Sequence, residues 1–563
     1  MKVPTGELKN EDCGLKNAKS SPSRDNQSAI FNLQSAIGLS MATEPQIVVR
    51  RMVAVNPATG ETLREFECAG GAEVAAAVER ARAAQPAWEA AGVQQRIKVM
   101  RRFQRLLHAR KEEVARLITR EAGKPYVEAL VNEVLVALDA TRFCVEQAPE
   151  LLLPEPVPHG NPIMRAKVGR LLRRAHGVVG IISPWNFPFS TPAGEVVAAL
   201  LMGNAAVLKP SEFTPLSALE LKSLFTAAGL PDGVFQVVLG DGATGAALIA
   251  SPIEKLVFTG SVSTGRRVAQ ACGARLLPVV LELGGKDPML VLDDADAEVA
   301  SSAAVWGAFF NAGQACLSVE RCYVHRSLHD RFVELCVEKT RKLRVGNGAD
   351  PHTDIGPMIH ERQLRIVEEQ VNDAVSSGAR VLVGGRRMPE LGPNFYAPTV
   401  IAGVDHSMRI MREETFGPVL AIMPFDSDDE AISLANDSEF GLAASVWTRD
   451  RYRGEQLATL ISAGTVLVND AVIGYGISEA PHGGVKCSGI GRTHGKLGLE
   501  EMAWVQYLDS DRLPRLKKTW WYGYGPDFAR QMEAFADWLF APGLFARVRG
   551  AVRSSRSLWR RRL

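Results

Sequence analysis

Apolar residues recur three and four positions apart through roughly 72–88, 92–121 and 126–148, which is the spacing of long amphipathic helices. Ahead of them, Val53-Ala-Val-Asn-Pro-Ala-Thr-Gly-Glu reads as a strand closed by a turn. The Pro-rich stretch 154–162 ends the helical run, and 163–176 alternates basic and apolar residues, as an exposed hairpin would. The pattern then changes to short, wholly apolar runs between helical stretches. Gly177–Ser183, Ala205–Leu208, Gly233–Gly240 and Lys255–Phe258 are predicted as buried strands of a mostly parallel sheet. The alternation resumes from 289 to about 470, which predicts a second α/β lobe. The longest apolar run, Val196–Leu208, begins beside Glu195 and contains Gly203 and Asn204. It falls short of the ~18 residues of a membrane span and reads as a core helix leading into a strand.

At 563 residues, a chain 46% hydrophobic and 23% charged has the composition of a globular protein of several units, not of a collagen or a fully disordered polymer. Residues 1–48, rich in Lys, Ser, Asn and Gln, read as a disordered leader. The net charge of +2 hides an asymmetry: 512–563 carries +9, leaving the body at −7. A mildly acidic body does not suit a nucleic-acid-binding core. Eight cysteines without a CxxC pair or zinc-site spacing argue against a disulfide framework and a metal site. They fit a reduced, cytoplasmic compartment, and the N-terminus lacks the apolar core of a signal peptide.

Three residues carry candidate chemistry. Cys316, in Asn311-Ala-Gly-Gln-Ala-Cys, follows a Gly-containing stretch whose backbone N–H groups can lower a thiol pKa and hold an oxyanion. Taken alone, a cysteine is more often a small buried hydrophobe. Glu282, in Leu281-Glu-Leu-Gly-Gly-Lys, is a carboxylate in an apolar strand; it reads equally as a general base of raised pKa or as a structural ion pair. Asn186, in Pro184-Trp-Asn-Phe-Pro, lies past a strand end where ligands bind, and its amide can donate to an oxyanion; a Pro-framed turn is the alternative. Gly260 and Gly265, opening a helix after a strand, would admit phosphates, although the spacing is not GxGxxG.

Taken together and in this order, Pro184-Trp-Asn-Phe-Pro, Leu208-Lys-Pro-Ser-Glu, Phe258-Thr-Gly-Ser, Leu281-Glu-Leu-Gly-Gly-Lys, Gly313-Gln-Ala-Cys, Glu413-Glu-Thr-Phe-Gly-Pro-Val and Gly483-Gly-Val-Lys-Cys-Ser-Gly-Ile-Gly-Arg resemble the aldehyde dehydrogenase superfamily over about residues 49–507. The resemblance implies an α/β fold with a Rossmann-like cofactor domain (49–156 and 177–282), a catalytic domain (283–483) and an oligomerisation element (157–176 and 484–511), assembled as a homodimer or homotetramer. It implies NAD, with NADP as the alternative, and an aldehyde as substrate. Cys316 would form a thiohemiacetal and then a thioester, Asn186 would hold the oxyanion and Glu282 would activate water for hydrolysis. Lys209 and Glu212 would hold the adenosine ribose, Gly260 and Ser261 the pyrophosphate, and Trp185 would lie along the cleft. Glu414 and Phe416 would position the nicotinamide end. Glu212 favours NAD, and Glu282 favours a free acid over acyl transfer to coenzyme A.

No Lys or Arg occurs from Phe187 to Leu208, where relatives acting on succinic semialdehyde carry a basic residue, so an uncharged aliphatic or aromatic aldehyde is expected. Phe187, Trp306, Phe310 and Leu317 would line its tunnel, unless they are ordinary core residues. His482 stands where many relatives place an aromatic. The extension 512–563 holds Trp520, Trp521, Trp538 and Trp559; Phe528, Met532, Phe535 and Leu539 recur at helical spacing, while Phe545, Val548, Val552 and Trp559 make one face opposite Arg547, Arg549, Arg553 and Arg556. Such helices suit peripheral contact with a membrane surface or packing on the body or a sister subunit. The rival functions are a succinic-semialdehyde-type dehydrogenase, a cysteine hydrolase and an inactive scaffold.

Overall fold

The structure, a computed structural model, describes residues 50–516, 518 and 521–560, without the side chains of 162, 163 and 556–560. The expected leader, Trp520 and the side chains of Arg556 and Trp559 lie outside the described residues. Two α/β sheets carry the fold. In the first, Val178–Ile182 is flanked by Ala205–Lys209 and Lys255–Thr259, with Phe235–Val237 and Val279–Glu282 outside them, all parallel. Gly489–Ile490 adds an antiparallel edge to Val279–Glu282. All five residues of Val178–Ile182 and of Ala205–Lys209 are buried, as strands covered by helices on both faces must be. The register aligns Ile182 with both Lys209 and Phe258, and Thr259 with Glu282. The loops at 183–189, 210–214, 260–261 and 283–286 therefore leave one common rim, where ligands bind in open parallel sheets.

The second sheet runs in the order Arg380–Val383, Thr399–Ala402, Val419–Phe425, Val319–His325, Asp287–Val291, Ala443–Trp447, Thr465–Val468, and only Arg380–Val383 is antiparallel. Asp287 pairs with Val319, so Cys316 sits just before a central strand, beside the chain that leaves Glu282. A separate three-stranded sheet pairs Lys167–Ala175 along its whole length with Ala503–Asp511 and briefly with Glu155–Val157. The expected hairpin at 163–176 is thus corrected: Pro162–Ala166 is a 3-10 turn, and the long partner of the alternating strand comes from far along the chain.

The expected helix 92–121 is also two helices, Gly92–Ala109 and Lys111–Ala122. Arg110 leaves helical geometry (φ −104°, ψ 16°) between them, and its guanidinium meets Glu113 and Glu220. The third helical run contains a π turn, Leu130–Leu135, between Tyr126–Ala129 and Val136–Leu151. The extension forms Pro526–Phe540 and Leu544–Arg560. Gly550 lets this pair touch, since a Cβ there would stand 2.4 Å from Trp538 N. Among the described residues, no helix is long and apolar enough to cross a membrane.

Candidate active site

A cavity of about 1220 Å³ opens along the common rim, and Cys316, Glu282, Asn186, Lys209, Glu212, Gly260, Ser261, Trp185, Glu414 and Phe416 all line it. Asn186 owes its position to groups distant in sequence. Its backbone oxygen accepts hydrogen bonds from Lys124 Nζ (2.8 Å) and Asn311 Nδ2 (3.1 Å). Lys124 is paired at 2.6 Å with Glu133 on the π turn, and both are buried. Glu133 Oε2 in turn accepts from Phe189 N (3.1 Å) and Ser190 N (2.7 Å), at the start of helix Ser190–Leu201. The Pro-Trp-Asn-Phe-Pro loop is thus clamped from below. Asn186 Nδ2 spends one hydrogen on Gln314 O (3.1 Å), which leaves its second donor for a ligand.

Cys316 is aimed by a turn of three consecutive left-handed residues, Asn311 (φ 53°), Ala312 (φ 54°) and Gly313 (φ 70°). Half-buried Glu128 holds this turn by accepting from Asn311 N with both oxygens (3.1 and 3.0 Å). Gly285 is required beside it: a Cβ there would stand 2.6 Å from Cys316 O. The expectation of a lowered thiol pKa is overturned. Burial pushes the Cys316 thiol up, and Asp287, Glu414 and Glu282 add negative charge around it.

Glu282 ends its strand buried, with Oε1 3.5 Å from Thr493 Oγ1 and Oε2 lacking a hydrogen-bond partner among the described residues. Burial and the neighbouring Glu195 push its carboxyl well above the usual range. His482 Nε2 lies 3.7 Å from Glu282 Oε2, too far for a hydrogen bond. Burial also drives His482 down to about 3, so no charged pair forms. Among the described residues no Lys or Arg lies within ion-pair distance of Glu282, and Arg492 acts on it only from farther away. Glu195 lines the same cavity and is pushed up to about 8 by burial. Sequence reasoning noted it only as the boundary of an apolar run, although a glutamate within a core helix was itself a signal.

At the far end, Lys209 Nζ lies 3.3 Å from Glu212 Oε2. Gly260 N donates to Glu282 O (3.0 Å), and Ser261 caps helix Val262–Gly273, whose N-terminus points its N–H groups as an anion site would. Trp185 meets Phe416 edge to face at 5.4 Å. Glu320, paired with buried Lys286 at 2.6 Å, accepts from Thr415 N and Phe416 N and so fixes that turn. Glu414 Oε1 accepts from Gly285 N (3.2 Å), and burial pushes its carboxyl up to about 8. A lysine, carboxylates for hydroxyls and a helix N-terminus for phosphates are the donor set a dinucleotide needs, and the residues fit one. Phe187, Trp306, Phe310, Leu317 and His482 line the cavity too. Among the described residues, no cluster of His, Cys, Asp and Glu could hold a metal ion.

The aldehyde dehydrogenase family model matches residues 45–508. The chain is 39% identical to 4,4'-diapolycopene aldehyde oxidase of a Methylomonas species, over 87% of this chain and 91% of that protein. It is 40% identical to a putative succinate-semialdehyde dehydrogenase [NADP(+)] of Mycolicibacterium smegmatis, over 81% and 88%. The NAD+ complex of aldehyde dehydrogenase from Bacillus cereus superposes with a TM-score of 0.79 at 35% identity, covering 82% of this chain and 93% of that one. The motifs, the two sheets and the residues gathered on one rim agree with these matches: the chain belongs to the aldehyde dehydrogenase family.

Proposed function

We propose that the chain oxidises an apolar aldehyde to its carboxylic acid through a thioester on Cys316, with a nicotinamide dinucleotide as hydride acceptor. The convergence of Cys316, Asn186 and Glu282 on one cavity with Lys209, Glu212, Ser261, Glu414 and Phe416 carries this reading. Cys316 Sγ attacks the carbonyl carbon; a C–S bond forms, and the free amide hydrogen of Asn186 and the Cys316 N–H donate to the oxygen that takes up the charge. The raised thiol pKa keeps Sγ protonated at rest, so attack is coupled to removal of its proton by a base. A nicotinamide dinucleotide held there would supply the hydride acceptor that the oxidation of the Cys316 adduct to a thioester requires. Glu282 then takes a proton from water, the new C–O bond forms, the C–S bond breaks and the acid leaves. Lys209 and Glu212 would hold one ribose, Gly260 and Ser261 the phosphates, and Glu414 the second ribose beside Trp185 and Phe416. The pairing of Glu212 with Lys209 favours NAD over NADP, whose extra phosphate the carboxylate repels.

Substrate class follows from the opposite end of the cavity. Lys209, Arg267, Arg275 and Arg362 are the cations lining it among the described residues; Lys209 pairs with Glu212, and Arg267 lies on the helix that Ser261 caps, with Arg275 just past its end. At the mouth, Val131, Leu135, Trp306 and Ile473 are each more than two-fifths exposed. An apolar rim of this kind suits an aldehyde whose chain runs out past the pocket, and one relative is named for a long carotenoid aldehyde.

The same reading assigns 49–156 and 177–282 to the cofactor domain, 283–483 to the catalytic domain, and 157–176 with 484–511 to subunit contact. Strand Ala503–Asp511 is a sheet edge that exposes Trp504, Val505, Tyr507 and Leu508, which supports a homodimer or homotetramer. The helical pair after Pro526 turns Phe540, Leu544 and Phe545 (94% exposed) outward near Arg547, Arg549 and Arg553. That arrangement supports contact between a cytoplasmic enzyme and an anionic membrane surface.

NADH formation over a panel of short, long, aromatic and succinic semialdehydes tests the proposal. Turnover rising with chain length and lost by about 10⁴-fold or more in Cys316→Ala is expected. Preference for succinic semialdehyde would overturn the substrate class, and absence of turnover on every aldehyde would favour a scaffold.

A further inference from the structure

The reaction just described leaves one buried acid at the site unused. Glu195 projects from helix Ser190–Leu201 into the cavity lined by Glu282 and Cys316. Its Oε1 accepts from Thr259 Oγ1 at 3.3 Å, and Thr259 is the register partner of Glu282 on the neighbouring strand. Glu282 Oε1 is engaged in the same way by Thr493 Oγ1. Each carboxyl therefore has one oxygen held by a threonine, and each has its Oε2 buried without a hydrogen-bond partner among the described residues.

The surroundings offer little to hold two negative charges. Arg492 is the cation acting on Glu282, and its guanidinium is engaged by Gly484 O and Gly491 O. His482 and His494 are kept neutral by burial. Tyr475 donates to Thr191 Oγ1, one turn before Glu195 on the same helix. Cys316 completes the set of titratable groups around the pair. Two like-charged carboxylates in such a place oppose joint ionisation, so a proton on one favours release from the other.

Protons must be handed to a base twice. One comes from the Cys316 thiol as the C–S bond forms and one from water as the C–O bond forms; the C–S bond then breaks, the departing sulfur takes back a proton, and the product acid gives one up as it leaves as carboxylate. A single base serving both steps must be emptied between them. We propose that Glu195 is the proton acceptor for Glu282, the two passing a proton between their unpartnered Oε2 atoms, directly or across one water, so that Glu282 is basic again when water attacks. This rests on the role given to Glu282 above. Electrons stay where the hydrolysis leaves them, and only the proton moves.

The test separates acylation from deacylation by stopped-flow NADH formation and by the mass of the acyl-enzyme. In Glu195→Gln, which keeps a side-chain oxygen for Thr259, the first NADH forms within about twofold of the wild-type rate while deacylation slows by about 10-fold or more. The acid limb of the deacylation profile moves about one pH unit acid-ward, because the neighbouring negative charge is gone. A merely structural loss would not move that limb, and Glu195→Asp restores part of the turnover. Unchanged deacylation with an unmoved limb overturns the proposal, as does an equal loss in both steps in a protein that melts normally. If Glu195→Gln fails to fold, Thr259→Val, which frees Glu195 Oε1, is read by the same limb. Glu282→Gln runs alongside: acyl-enzyme accumulating after normal NADH formation supports the reading beneath, whereas wild-type turnover in that variant overturns it separately.

Discussion

Two walls of the cavity are each built around a buried glutamate, and they behave in opposite ways. Beneath the Asn186 loop, Glu133 meets Lys124 at 2.6 Å and two backbone N–H groups at 3.1 and 2.7 Å. Across the cavity, Glu282 meets one hydroxyl at 3.5 Å and a second acid, Glu195. Burial alone therefore does not distinguish a clamp from a base. A carboxylate whose lone pairs are all engaged is a structural post, whereas one left half-satisfied among other acids has nothing to do but take up and release protons.

Exchanging each glutamate for a neutral residue breaks this contrast. The largest effect belongs to Glu282→Gln: deacylation is expected to fall about 10²- to 10⁴-fold, while the urea midpoint at pH 8 stays level or rises because a costly buried acid is gone. Glu133→Ala should do the reverse. It strands the Lys124 ammonium and should cost about 3–5 kcal/mol of unfolding free energy by chemical denaturation. A pH series sharpens the comparison with a smaller effect. Glu195 and Glu414 are raised from 4.5 to about 8 in the folded protein, so the folded state holds protons that the unfolded chain releases. Stability should therefore fall as pH rises from about 5 to about 8. Urea midpoints that stay flat across that range would contradict the burial argument for the reacting wall.

The residues proposed to react could be singled out because each sits in a short local motif, and the sheet strands were legible because parallel strands read as unbroken apolar runs. What escaped was assembled over distance. Lys124 and Glu133 reach Asn186 across some sixty residues, and nothing near them announces it. Arg110, where the long helix breaks, pairs with the distant Glu220, and the partner of Lys167–Ala175 arrives after residue 502. The left-handed turn at Asn311–Gly313 was hidden because Ala312 is an ordinary helix former there by composition; its conformation is imposed by Glu128 and the tight approach to Gly417. The direction of the Cys316 thiol shift was misjudged because the local glycines were visible while the burial that raises it most, and the carboxyls gathered around it, come from chain distant in sequence.

The strand Ala503–Asp511 has a consequence for handling the protein. It is nine residues long, ends its sheet, and bears Trp504, Val505, Tyr507 and Leu508 on exposed positions. An unpaired edge of that length and composition is a template on which any free strand can add. On the proposed homo-oligomer, a subunit separated from its partners would carry its own route to aggregation, so loss on dilution should be one-way, and reconcentrating the sample should return precipitate in place of activity.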